Sequence, residues 1–484
     1  MHRTRLAMSV LGALALAGCS ADKPEPLSPL APGAPSRSLS ATSGRYILAS
    51  NGKFSKDLAA QVTALGGTLV SVHAGAGIAV VSGISDAAAA KLSAIGGVNE
   101  VQPDAEFSLD NPTATVEADA SDVAADVTIN SVSNPAGAPR YSWQWNMRDI
   151  NASAAWSAGK LGDPGVTVAI LDTGMDYDDP DLNGLVDLSR STSFIASDDA
   201  ITSTYFPTRN RINDYNGHGT NVAAQVSSKA AVHAGVTSKT TLIGVKVLDA
   251  TGHGSLDAVL NGVLWAADHG ADVANMSLGG GFAKAGNGRY VSLINRVFNY
   301  ASRQGMLVVV AAGNAEADLD HNGNTLTTYC DQPHVICVSA VGPTTPAGNP
   351  DEFSYYSNFG RSAISVAGPG GNAGAVISAW PYGAGNWSYV WSYCAKQRLV
   401  LDANGNVLGY AGCQLGNRVS GFAGTSQATP HVAGLAALLV AEKGHGQPAA
   451  IKAAIEKSAD DLGQPGTDPY YGRGRINVAR ALGL

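Results

Sequence analysis

Charge is scarce in this chain: Asp, Glu, Lys and Arg make up 14% of its 484 residues, against about a quarter in an ordinary globular protein. The 31 basic and 39 acidic residues leave a net charge of −8. They form no basic run, which removes the electrostatic footprint of a nucleic-acid partner. Aromatic residues are few, at 7%, and there are only five cysteines. What remains is 45% hydrophobic, too apolar for a disordered chain and long enough for two to four folded units at ~100–200 residues each. The 57 glycines and 22 prolines follow no period, so they point to tight turns rather than to a fibrous or linker-like protein.

The N-terminus carries Arg3 and Arg5, then an apolar stretch over residues 6–17, then small residues. That is the order of a secretory signal, and its apolar part is too short to span a bilayer. The segment Leu16-Ala17-Gly18-Cys19 resembles the bacterial lipobox, which makes Cys19 the expected lipidation site and places the protein in the periplasm or on the outer membrane, with release to the extracellular medium after processing as the alternative. Setting Cys19 aside leaves Cys330, Cys337, Cys394 and Cys413, an even number in an exported chain and so two disulfides. Of the three pairings, the short local loops Cys330–Cys337 and Cys394–Cys413 are the expectation, each joining neighbours across a turn.

Five regions follow. Residues 1–19 are the signal, and 20–44 are a Pro/Ser-rich tether that cannot bury apolar area. Residues 45–109 run β-α-β-β-α-β, a small α+β unit of the split βαβ kind. Residues 110–140 lose all periodicity and read as a linker, its exposed backbone being the expected processing site, between Ser108 and Arg140. Residues 141–484 alternate β-branched runs with helical stretches, the pattern of an α/β domain with a mostly parallel sheet flanked by helices. Its clearest buried strands cover 166–171, 241–248, 273–276, 306–311 and 335–340, with polar groups expected at their carboxyl ends. An aromatic insert, 380–421, interrupts the rhythm; Asn404-Gly405 between two apolar runs marks a hairpin within it.

Three segments carry polar groups that an apolar core would not otherwise hold. A strand ends in Asp172-Thr173-Gly174, burying a carboxylate that needs a hydrogen-bonding partner. Asn216-Gly217-His218-Gly219-Thr220 sets a histidine between two glycines at a helix start. Gly424-Thr425-Ser426-Gln427-Ala428-Thr429-Pro430-His431 opens an apolar helix over 432–441 and places a serine where backbone N–H groups face outward. Singly, each is more often a turn former, a core histidine or a helix cap. Together, in the chain order Asp, His, Ser with spacings of 46 and 208 residues, they match the order of one known kind of catalytic triad.

With Asn275-Met276-Ser277-Leu278-Gly279-Gly280 and Ala311-Ala312-Gly313-Asn314, these segments give five ordered motifs, and the chain resembles a subtilisin-family serine peptidase over nearly all of 141–484. Residues 45–109 resemble that family's inhibitor-like propeptide. The resemblance implies a subtilisin-like fold and an autoprocessed zymogen that hydrolyses peptide bonds through an acyl-enzyme. Ser426 would be the nucleophile, His218 its base and Asp172 the group that orients His218. Asn314 would donate to the oxyanion. Gly252, His253 and Gly254 on one side, and Ser277, Leu278 and Gly279 on the other, would bind an extended peptide by strand addition, with His253 itself a solvated side chain.

The implied partners are a peptide or protein substrate, the chain's own propeptide as intramolecular inhibitor, and the membrane through the lipid anchor before processing. A monomer is expected. No cofactor is required. Calcium enters only as a structural ion: the family's calcium loop is not evident between Gln225 and Gly235, and Asp318, Asp320 and Asn322 offer half of an oxygen-ligand pattern that lacks its closing Glu. Two rival readings differ in kind. An α/β-hydrolase esterase needs Asp and then His after Ser426, and the only histidines there are His431, five residues along the same helix start, and His445. A non-catalytic surface-binding protein needs a missing triad member, and none is missing.

Overall fold

Strands form where aliphatic and β-branched residues run together, and seven such runs assemble into one all-parallel sheet. Its order is Val366–Pro369, Val335–Val341, Leu307–Ala311, Val273–Met276, Thr167–Asp172, Thr241–Lys246 and Thr192–Ser193. The computed structural model describes residues 40–109, 114–119, 131–280, 282–326, 329–344, 348–372, 390–393, 398–402, 407–411 and 418–484. Alternate side chains of each strand feed two cores. Ala169, Leu171, Val308 and Val310 pack with the helices Leu256–Asp268 and Gly288–Arg303. Val168, Ile170, Leu307 and Val309 pack with His218–Val226, Thr425–Lys443 and Pro448–Ser458. Chain order reverses about Thr167–Asp172, so its carboxyl end lies at the topological switch point where α/β proteins place their sites.

The N-terminal unit forms a second, antiparallel sheet from Thr68–His73, Ile78–Ser82, Ser40–Ala49 and Glu100–Ser108. One face covers its own helices, burying Leu48, Leu58, Val62, Val81 and Leu92. The other sends Ile47, Ala49, Ile78 and Leu109 into the core formed with the helices at 256–268 and 288–303. Its last strand continues onto His253–Ser255, pairing Glu106 with Ser255, Phe107 with Gly254 and Ser108 with His253. At that junction the buried Asp104 caps a helix start by accepting from Asp257 N at 2.9 Å. Burial, followed by the Asp257 carboxylate beside it, pushes Asp104 up to about 8; Arg45 bonds to Asp257.

Three regions differ from the expectation. The tether expected to reach residue 44 ends sooner, because the strand Ser40–Ala49 starts inside it and pairs Ser40 with Glu106 and Ala41 with Ala105. The stretch expected to be a structureless linker contains a strand, Ala114–Asp119, which pairs antiparallel along the whole of Arg418–Ala423. The helix expected over 432–441 begins at Thr425, with Pro430 inside it; the N–H that Pro430 lacks is replaced by the Ser277 hydroxyl, which donates to the Ser426 carbonyl. Within the aromatic insert, Arg398–Leu401 and Val407–Ala411 pair as the hairpin about Asn404-Gly405, whose turn lies outside the described residues. Val390–Tyr393 lies on the other edge of Arg418–Ala423.

Arg475 ties the amino end of the α/β domain to its carboxyl end. Nearly buried, it bonds Asp149 and Asp351 at 2.6 Å each, and also Asp460. Replacing it, as Arg475→Met, strands three carboxylates at a buried site and is expected to cost roughly 3–5 kcal/mol, read as a lower urea midpoint at unchanged slope.

Candidate active site

Asp172 is the last residue of Thr167–Asp172 and fully buried. Its Oδ1 accepts from Thr173 N at 2.7 Å and from His218 Nδ1 at 2.8 Å. His218 opens the helix His218–Val226 after Gly217, whose φ of 97° suits glycine. Gly219 is required for a different reason: a Cβ there would lie 2.1 Å from the Gly174 carbonyl oxygen and 3.1 Å from Asp172 Cβ. Only a bare backbone lets this helix reach the aspartate. Burial disfavours the His218 imidazolium, but the charge of Asp172, its hydrogen bond and the charge of Asp214 outweigh that and hold the pKa above its ordinary value. With Nδ1 donating to the carboxylate, Nε2 is left as a buried atom with no hydrogen-bond partner among the described residues.

Asp214 is a functional residue that the sequence reading passed over. Its Oδ1 accepts from Thr173 Oγ1, Asn216 N and Gly217 N; its Oδ2 accepts from Thr220 N and Thr220 Oγ1. One buried carboxylate therefore clamps the Asp172 loop to the His218 loop. The signal was present in Asp214-Tyr215-Asn216-Gly217, a side chain able to bond its own backbone two residues on.

Ser426 is the second residue of the helix Thr425–Lys443. Pro430, one turn further, has no N–H for the Ser426 carbonyl. That carbonyl accepts instead from Ser277 Oγ at 2.7 Å, and Ser277 Oγ in turn accepts from Asn275 Nδ2 at 3.0 Å. Ser426 Oγ donates to the Ser277 carbonyl at 3.0 Å. The serine helix and the carboxyl end of Val273–Met276 are thus locked together at one residue. The histidine helix joins them through Asn221, whose Oδ1 accepts from Gln427 Nε2 at 3.4 Å, and the Phe422 ring sits edge-on to His218 at 6.3 Å.

Asn314 follows the neighbouring strand, Leu307–Ala311. Its Oδ1 accepts from both Thr425 N and Thr425 Oγ1 at 2.8 Å. The amide is therefore fixed with Nδ2 turned the other way, within 3.4 Å of where a Cβ on Gly424 would be, buried and unpartnered among the described residues. Three adjacent strand ends thus present Asp172, Ser277 and Asn314 in a row, with Ser426 beside them.

Of the residues expected to bind peptide, the Gly252–Gly254 edge carries a strand: Gly254 and His253 pair with Phe107 and Ser108, and Gly252 O accepts from Leu109 N at 2.8 Å. His253 is exposed, its Nδ1 on Thr251 Oγ1. Ser277 and Leu278 are buried, Ser277 against Ser426 and Leu278 in the core, so any peptide contact by Ser277-Leu278-Gly279 falls to backbone. Cys330 and Cys337 are joined by a disulfide. Cys19, Cys394 and Cys413 lie outside the described residues.

The calcium candidates do not converge. Asp318 accepts from Asp320 N and pairs with His321, whereas Asp320 bonds Ser362 N and Oγ. The buried Asp181 accepts from Val232 N and His233 N. No cluster of three metal-ligating side chains exists among the described residues. His431 is a core histidine: Nδ1 donates to Gln427 O at 2.7 Å, Nε2 accepts from Asn146 Nδ2 at 2.8 Å, and burial holds it down to about 4. It is not available to Ser426 as a base, which removes the esterase geometry.

A parallel α/β sheet whose carboxyl ends carry a buried Asp–His pair, a helix-initial serine and a free side-chain amide is the architecture of a serine peptidase. The profile of the Subtilase family matches residues 163–474, well over half of the chain. The chain is 32% identical to thermitase of Thermoactinomyces vulgaris over 345 residues, covering 70% of itself and 96% of thermitase. It is 30% identical to subtilisin E of Bacillus subtilis over 341 residues, 70% of each. In structure it resembles the epidermin leader peptide processing serine protease of Staphylococcus aureus, with a TM-score of 0.65 at 21% identity over 92% of this chain and 99% of that one. It likewise resembles the keratinolytic fervidolysin of Fervidobacterium pennivorans, with a TM-score of 0.63 at 22% identity over 92% and 61%. The chain belongs to the subtilase family and is a subtilisin-like serine peptidase.

The Asp214 clamp makes a direct test. Asp214→Asn replaces one acceptor oxygen with a donor facing other donors and is expected to lower unfolding stability by about 1–3 kcal/mol. With one negative charge fewer beside it, His218 should also titrate at lower pH, measured by the histidine ring signals in NMR.

Proposed function

We propose that the protein is an exported serine endopeptidase made as a self-inhibited zymogen. The observation that carries this reading is the pattern of satisfied and unsatisfied polar atoms. His218 Nδ1, the Asn314 Oδ1 and the Ser426 carbonyl are all bonded within the protein. His218 Nε2 and Asn314 Nδ2, the two atoms a peptide would need, are buried and bonded to nothing among the described residues.

Ser426 Oγ, turning from the Ser277 carbonyl, gives its proton to His218 Nε2 as it bonds to the substrate carbonyl carbon. Asp172 holds the ring in that tautomer and stabilises the imidazolium. The carbonyl oxygen, now an oxyanion, accepts from Asn314 Nδ2 and from the Ser426 N–H, which lies in a first helical turn with no intrahelical acceptor. The intermediate collapses, the C–N bond breaks and the amine leaves with the proton from Nε2. Water then takes the same route and frees the acyl group. Strand addition along Gly252–Gly254 recognises backbone, so the enzyme accepts many sequences.

Residues 45–109 act as the intramolecular inhibitor. Leu109 is bound on the Gly252 edge, which joins the His218 loop through Asn216 Nδ2 on Ala250 O. Ala114 is paired with Ala423, just before Ser426. With the flanks anchored on these two edges, the bond cut in maturation lies between Leu109 and Ala114. The signal and Cys19 direct the precursor to the envelope as a lipoprotein, and the cut separates anchor from enzyme. Among the described residues no helix is long and apolar enough to cross a membrane.

Four outcomes are expected. Ser426→Ala remains full-length while the wild type acquires a new N-terminus between residues 110 and 114, both read by intact mass; equal trimming of the two would refute self-processing. Because His218 must be neutral to accept the proton and its pKa is raised, kcat/KM should fall on acidification with its midpoint above the ordinary ~6.5. Asp172→Asn should move that midpoint down and lower kcat about 10⁴-fold. Asn314→Leu should lower kcat by ~10²–10³ with little change in KM, a loss of the size known for the same donor in a subtilisin.

A further inference from the structure

Asn314 is held in two ways. Thr425 N and Oγ1 bond its side-chain oxygen, both at 2.8 Å. The backbone around it is held by one buried residue of a distant segment, Asn358. Asn358 Nδ2 donates to Ala312 O at 2.8 Å, and Asn358 N donates to Gly313 O at 2.9 Å. Asn358 Oδ1 accepts from Ala315 N at 3.0 Å and from Ala317 N at 2.9 Å. Two backbone groups before Asn314 and two after it thus end on a single residue. The pairing continues on both sides, Glu316 N donating to Tyr356 O and Phe359 N to Ala317 O.

Residues 312–317 leave the strand Leu307–Ala311 without regular structure. Glu316 takes a left-handed φ of 51°, a conformation that persists only where surrounding bonds impose it. The loop's amides and carbonyls have no ladder of their own, so their partners must come from elsewhere. Asn358 supplies an acceptor for two N–H groups and a donor for a carbonyl, a combination that a short primary amide provides. It is itself fixed from behind. Ser357 Oγ accepts from Ala340 N at 3.1 Å and donates to Asn358 O at 3.0 Å, which ties this segment to the strand Val335–Val341.

The two holds act on different atoms. Thr425 sets where the Asn314 amide oxygen lies, and Asn358 sets where its backbone lies. With both ends of so short a side chain fixed, the direction of Nδ2 follows. Nδ2 is the atom left buried and unbonded among the described residues, and the proposed reaction directs it at the oxyanion.

We infer that Asn358 is a positioning residue for the oxyanion donor: its side chain, bonded among the described residues only to the backbone of residues 312–317, aims Asn314 Nδ2 by fixing the loop that carries it. This rests on the proposed peptidase reading and deepens it. Losing Asn358 raises the barrier of the chemical step without loosening substrate binding. It does so only while the Asn314 amide is present.

The test measures kcat and KM per active site, titrated with phenylmethylsulfonyl fluoride, on matured enzymes. Variants that process themselves slowly are matured by tagged wild-type enzyme, which is then removed. Asn358→Ala removes the three side-chain bonds. Since misplacing a reacting group by about 1 Å costs ~10²-fold, kcat should fall roughly 10- to 100-fold while KM changes by less than about twofold. Asn358→Ser, a milder change that keeps a hydroxyl at the site, should lower kcat by a smaller factor and serves if the alanine variant does not fold. The deciding measurement is the double variant. In an Asn314→Leu enzyme, with kcat already down ~10²–10³-fold, either change at 358 should lower kcat by no more than about twofold further, because a residue that acts through another has nothing left to act on. A residue needed only for folding would instead lower stability and active-site titre in both backgrounds and leave kcat per site unchanged. Unchanged kcat in the single variants, or a loss repeated in full beside Asn314→Leu, overturns the inference while leaving the peptidase reading intact. A wild-type enzyme that cuts no peptide and takes no sulfonyl label would overturn that reading instead.

Discussion

A carboxylate buried at the end of a central strand is the constraint from which the rest of this molecule follows. Asp172 is wholly removed from water. An ion in that position costs several kcal/mol unless hydrogen bonds meet it, and those it receives come from Thr173 N and His218 Nδ1. To bring the histidine there, the next helix has to start directly on the aspartate loop, which makes Gly217 and Gly219 obligatory at its N-terminus and calls for a second carboxylate, Asp214, to hold the two loops in place. Orienting the imidazole and raising its pKa are consequences of keeping that first charge inside.

The serine side obeys a comparable economy of hydrogen bonds. Pro430 removes the N–H that would have satisfied the Ser426 carbonyl, and Ser277 Oγ takes its place. The result couples the start of a helix to the end of a strand more tightly than packing alone would, since both partners are buried and either one left alone would be an unsatisfied polar group. Asn314 is treated likewise: Thr425 consumes its acceptor, so that only its donor is left. Each group described in the site is fixed by its non-reacting atoms.

The N-terminal unit extends this logic outward. Its sheet does not merely lean on the α/β domain; the Glu100–Ser108 strand is completed by His253–Ser255, and Asp104 caps the helix that follows. The interface thus runs through the backbone groups of the His253–Ser255 edge.

Local pattern was enough for much of this. The βα alternation and the buried strands at 166–171 and 273–276 were legible from periodicity, whereas Asp172, His218 and Ser426 stood out only as a set in chain order and Asn314 only through the family resemblance. Three features were not legible. The strand at 114–119 depends on a free edge some 300 positions away in the chain, and β structure is decided by its partner more than by its own residues. The clamp at Asp214 and the role of the Ser277 hydroxyl arise only when separate loops meet. Which atoms of Asn314 and His218 are free is likewise set by what their other atoms find in three dimensions. Sequence determined which groups are present and which elements carry them; tertiary structure decided which of their bonds are filled and which are left open among the described residues, since that depends on contacts between residues far apart in the chain.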